Sequence, residues 1–139
     1  MRKIKKPIKD VMTTTSRDVK ISELIVTYAS DYINMGESME ERQNYLNGAC
    51  TAWNIANLPA DRREEALHQA AIEYQRINPT VDDVTGYLHD MKLLIQKKVE
   101  MFPQIRKAIV GAFIEAIDDE RYRINVVSTN DPGRLFNWR

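Results

Sequence analysis

The sequence predicts an all-α fold: a single antiparallel bundle of about five amphipathic helices with flexible N- and C-terminal segments. Three observations carry that expectation. Apolar residues recur at three- and four-residue steps through most of the chain, the spacing that lines one face of a helix. Glycine and proline occur only five times each, too rarely for a fold built on many tight turns. The stretches between periodic segments are short, which favours antiparallel packing of sequential neighbours. At 139 residues, with 43% hydrophobic and 29% charged side chains, the chain suits one domain around one core. The expected division is a basic flexible arm and linker over 1–19, a helical bundle domain over 20–123 and an irregular C-terminal tail over 124–139.

The first helix follows from Ile21, Leu24, Ile25, Tyr28, Tyr32 and Met35, which share one face. Gly36 comes next, where a left-handed residue often ends a helix. Ser38 and Glu41 form an S-x-x-E capping box for the second helix, each side chain satisfying an otherwise unpaired amide. Its inward face is Met39, Leu46, Ala49, Cys50, Trp53 and Ala56. Gly48 costs that helix up to about 1 kcal/mol relative to alanine, offset if a neighbouring helix approaches closely at Gly48 and Ala49. Leu58-Pro59 ends the run, because the residue before proline is pushed out of the α region.

A third helix runs from about Asp61 to Ile77, with Ala66, Leu67, Ala70, Ala71, Tyr74 and Ile77 inward, and Asn78-Pro79 stops it. Thr80, with Asp83 three residues on, is the expected cap of a fourth helix bearing Val84, Leu88, Met91, Ile95 and Phe102. Pro103 marks the boundary of a fifth, which carries Ile105, Ala108, Ile109, Ala112, Phe113, Ala116 and Ile117. Asp118, Asp119 and Glu120 would oppose the dipole at a helix end, so this helix is extended to about Arg123. Ile124 to Val127 reads as a short extended piece, and Asn130-Asp131-Pro132-Gly133 as a turn. The expected core includes Leu24, Leu46, Trp53, Leu67, Leu88, Ile95, Ile109 and Phe113.

The chemistry-bearing residues are sparse. Cys50, the only cysteine, excludes an intrachain disulfide and falls among small residues, so it reads as buried and inert in a reducing, cytoplasmic setting. No apolar run approaches the roughly 18 residues needed to span a bilayer, so no membrane partner is expected. Glu65-x-x-His68 is half of the motif that carboxylate-bridged di-metal bundles use twice. His89 has Gly86, not a carboxylate, three residues before it, so no metal or other cofactor is expected. No nucleophile elbow or phosphate loop is present, and Asp82-Asp83 and Glu40-Glu41 suit first helical turns without acid–base chemistry. Catalytic residues are therefore none, and the chain leans away from being an enzyme.

Charge is uneven although its net value is zero. Residues 1–20 hold seven basic against two acidic residues, a net +5, and the remainder carries −5. Arg2, Lys3, Lys5, Lys6 and Lys9 form a basic arm of the kind that meets phosphates or acidic protein surfaces. Lys97, Lys98, Arg106 and Lys107 flank Pro103 and could meet at one corner of the bundle, but cations near a helix C-terminus are favourable for stability alone, and that is the leading reading. At the other end Phe136 and Trp138, with Leu135 and two arginines, form an aromatic segment that folds back or docks into a partner. The expected function is a non-enzymatic helical protein–protein interaction module, regulatory or self-associating, with a protein partner or a second copy bound. A nucleic-acid-associated factor using the basic arm is the alternative, and a bundle enzyme or metal protein without a recognisable motif comes third.

Overall fold

The structure is a computed structural model and describes residues 16–130. Four helices precede an antiparallel hairpin: α1 (Ser16–Ile33), α2 (Met39–Ala56), α3 (Ala60–Ile77), α4 (Thr85–Met101), β1 (Ala108–Ala116) and β2 (Tyr122–Thr129). The fold is thus mixed α/β, and the expectation of an all-α bundle of five helices is corrected. Where a fifth helix was predicted, the β-branched Ile109, Val110 and Ile114 favour extended backbone, and Ile124–Val127, expected to be a short extended piece, lies in the strand that pairs with them. The acidic run supplies the turn. The Asp118 carboxylate accepts the Glu120 and Arg121 amides at 2.9 and 2.8 Å, and the Ile117 amide donates to the Arg121 carbonyl at 2.9 Å. Side chains that would oppose a helix dipole are favourable here.

Two boundaries shift as well. Helix α1 starts at Ser16, ahead of the expected boundary at residue 20, and β2 occupies 124–129, where the tail was placed. Thr80 does not cap α4. Asp83 does the local work instead, its Oδ1 accepting both the amide and the hydroxyl of Thr85 at 2.9 and 2.6 Å. The Ser38 cap forms as expected, with Oγ accepting the Glu41 amide at 3.1 Å. The returning Glu41 carboxylate takes the amide of Glu37, one residue before Ser38, at 2.7 Å.

Helix α2 is central and touches α1, α3, α4 and β1. It also finishes the open edge of β1. The Asn54 amide donates to the Ile109 carbonyl at 2.9 Å and accepts the Ile109 amide at 2.8 Å. Gln43 donates to Ala112 and accepts from Ile114, at 3.0 and 2.9 Å. Two side chains three turns apart on one face of the helix thereby stand in for a third strand. On the other edge the Val126 amide donates to the buried Ser22 hydroxyl of α1 at 2.9 Å.

The hairpin presses Ala112, Ile114, Ile124 and Val126 towards the helices and turns Phe113 and Val127 outward. Phe113 is 60% exposed, and Leu24, Leu88 and Ile95 are half-buried, so these expected core positions are corrected. Leu46, Trp53, Leu67 and Ile109 are buried as expected. Met35 and Ile77, placed on inward faces by periodicity, lie near helix ends and are more than half exposed. Trp53 organises the centre: its indole N–H donates to the Lys107 carbonyl at 2.8 Å, and Tyr28 meets the ring edge-on at 5.2 Å.

Candidate functional site

Helix contacts run antiparallel from α1 to α2, α2 to α3 and α3 to α4, which brings alternate helix ends together. The end of α1, the middle turns of α2, the end of α3 and the start of α4 meet in a cleft of about 390 Å³. Each contributes a tyrosine. Tyr32 meets Tyr45 edge-on with ring centroids 4.8 Å apart, and Tyr74 stacks on Tyr87 at 4.1 Å. Gly48 faces the space between them; a Cβ there would meet only Tyr32, at an ordinary 3.8 Å. The expected close helix approach at Gly48 is therefore absent, and open cleft replaces it.

Two carboxylates line the same cleft. Glu73 is engaged by Arg76 one turn on, through two guanidinium nitrogens. Asp90 of α4 is half-buried and has no hydrogen bond or ion pair among the described residues. Burial, then the Asp90 charge, pushes the Tyr32 hydroxyl well above the ordinary phenol range. Burial also holds Tyr87 up, at about 12. Tyr32 and Tyr87 therefore stay neutral at ordinary pH, and the cleft presents four electron-rich rings beside the Asp90 carboxylate.

The opposite end of the helices carries the other sign. Lys98 is only 2% exposed, donates to Asn57 Oδ1 at 2.7 Å and to the Ile105 carbonyl at 2.6 Å, and stands 4.9 Å from the Trp53 ring centroid. Arg63 and Arg106 share its cavity. Of the four cations flanking Pro103, the structure brings Lys98 and Arg106 together and adds Arg63, which sequence spacing did not suggest. Lys107 turns elsewhere, to Asn130 at 3.0 Å.

The remaining sequence candidates take simple places. Cys50 is buried, and burial raises its thiol to about 12. Glu65 and His68 are exposed on α3, and no group of three or more His, Cys, Asp or Glu among the described residues is placed to hold a metal ion. No helix among the described residues is long and apolar enough to cross a membrane. Arg2, Lys3, Lys5, Lys6, Lys9, Phe136 and Trp138 lie outside the described residues. Sequence reasoning missed the cleft because it assigned Tyr32 and Tyr74 to the core by periodicity alone. A usable signal existed: a tyrosine near the end of one helix is followed by one in the first half of the next, twice over, and antiparallel packing collects such positions. No family model, curated protein or solved structure matches the chain.

Proposed function

We propose that this chain is a non-enzymatic binding module that works by protein–protein contact, and that its tyrosine-lined cleft receives a basic side chain of a protein partner. The observation that carries the reading is Asp90, a half-buried carboxylate with no partner of its own among the described residues, set in a wall of four tyrosines. A carboxylate in such a place gains most from a cation that enters with it. Tyrosine faces add attraction for the same cation, and their rigid rings are low-entropy contact surface. The cleft residues include neither lysine nor arginine, so nothing in the wall competes for Asp90. The basic arm of a second copy has the same chemistry, which accommodates self-association.

Fluorescence polarisation with a labelled lysine-rich peptide, and a glutamate-rich peptide of equal length, tests this. The basic peptide should bind and the acidic one should not. Asp90→Asn should weaken binding about tenfold, the loss of one partly buried charge pair at roughly 1.4 kcal/mol. Tyr87→Leu should weaken it as well. Equal binding of both peptides, or no change in Asp90→Asn, would sink the proposal.

A further inference from the structure

The cavity at the Lys98 end has a wall with three cations and no carboxylate. A buried cation is ordinarily paired, because water no longer solvates it. Among the described residues the Lys98 ammonium meets the neutral oxygens of Asn57 and Ile105 and the Trp53 ring, and two guanidiniums face its cavity. Those guanidiniums are themselves under-used. Arg63 donates through Nε to the Leu58 carbonyl at 3.0 Å, with no ion pair for its terminal nitrogens among the described residues. Arg106 is exposed and has no hydrogen bond or ion pair among them. Three positive groups thus converge from α3, α4 and the loop before β1, and no carboxylate lines the cavity among the described residues.

We propose that this cavity is a binding site for a small phosphate-bearing anion. Arginine forks match the tetrahedral oxygens of phosphate in a bidentate manner, and a lysine adds a point charge behind them. A dianion offsets most of the local excess, and a tetrahedral phosphate presents its oxygens to all three cations from one centre, which the two separate planar carboxylates of a dicarboxylate do not. The volume of about 440 Å³ exceeds what inorganic phosphate fills, and Leu58, Val99 and Pro103 provide an apolar wall for the rest of a small phosphorylated molecule. The first turn of α3, which begins after Pro59 without a side-chain cap, opens on the same space and adds favourable dipole. Burial foremost, then Arg106 and Arg63, holds the Lys98 pKa down to about 8, so the group is still mainly charged at neutral pH. Bound phosphate would raise it again.

Isothermal titration of the full chain with inorganic phosphate, glycerol phosphate and malonate, at constant ionic strength in sodium chloride, tests the site. The two phosphates should bind saturably at one per chain, and malonate at least tenfold more weakly. Arg106→Gln lies on the surface, leaves the core intact, and should weaken both phosphates about tenfold; Arg63→Gln should do the same. Replacing Lys3, Lys5 and Lys6 by alanine should leave binding unchanged. Absence of saturable phosphate binding overturns the proposal, as does binding indifferent to both arginine variants. Malonate binding as tightly as phosphate, or loss of binding only in the triple-alanine arm variant, overturns it equally.

Discussion

Lys98 donates to two neutral oxygens under the Trp53 ring, so protonation and folding are linked through it. Its pKa is about 8 in the folded chain against an ordinary 10.5, so between those values the unfolded chain binds more protons. Stability from this group therefore rises with pH across that window and is flat below it. Cys50, whose thiol is raised, acts in the opposite sense above pH 9, and the raised tyrosines do so at higher pH still. The difference between wild type and Lys98→Met isolates the lysine. Urea unfolding should show that wild-type stability gains on the variant from pH 7 to 9.5, and parallel curves would contradict the assignment. Two glycines give a second test at the same scale. A Cβ on Gly36 would lie 2.8 Å from the Arg42 amide nitrogen, whereas one on Gly48 meets only the Tyr32 ring at ordinary distance. Neither glycine has positive φ, so Gly36 is required by close approach and not by the left-handed ending that its position suggests. Gly36→Ala should destabilise by about 1–3 kcal/mol, and Gly48→Ala should stabilise by about 0.5–1 kcal/mol. Equal melting temperatures for the two variants would refute this reading.

At the scale of elements, the hairpin depends on α2 for its edge. Asn54→Ala leaves the amide and carbonyl of Ile109 without their partner, in a strand pressed against the helix. The expected loss is about 1–3 kcal/mol, while Phe113→Ala on the outer face should lose much less. If Phe113→Ala proves the more damaging, the segment is packed as a helix would pack it. The first four helices were legible because their apolar faces run over several turns and their ends carry Ser38, Pro59 and Pro79. The second strand was half legible, since Ile124–Val127 reads as extended, but the first strand was not, for a physical reason. Ala108, Ala112 and Ala116 fit a helical stripe, and alanine is small enough to suit either structure, so period alone does not discriminate. Ile114 alternates with Phe113 and Glu115 in strand fashion, and Asp118–Glu120 conflicts with a helix end. Extending the helix past the acidic run removes that conflict only on paper; a turn at Asp118 removes it by hydrogen bonds. The candidate site was half legible. Lys98 and Arg106 are among four cations that could meet at one corner, although a helix-end role is the leading reading of the sequence; Arg63 and the tyrosine cleft depend on which helix ends coincide, and that follows from the path of the whole chain.

Over the molecule as a whole, the helix layer is polar along its length, with Asp90 and four tyrosines at one end and Arg63, Lys98 and Arg106 at the other. The excess of +5 in residues 1–20 is balanced by −5 in the rest, so the body as a whole repels an extended polyanion. A recessed three-cation cavity admits a single phosphate group, whereas a nucleic-acid backbone must lie along a surface and neutralise several phosphates together. Electrophoretic mobility assays with mixed RNA and duplex DNA near 50 mM salt should accordingly show no shift at low-micromolar protein. The basic arm is the one segment whose charge opposes that expectation, since Arg2, Lys3, Lys5, Lys6 and Lys9 lie close together. Were it to grip phosphates, a shift would appear, fall steeply with salt by roughly one counterion per phosphate contacted, and vanish when Lys3, Lys5 and Lys6 become alanine. That pattern would move the working surface from the cleft to the arm and replace a protein partner by a nucleic acid. A shift that survives the triple substitution but disappears in Arg106→Gln would instead place the contact at the cavity, through a terminal phosphate.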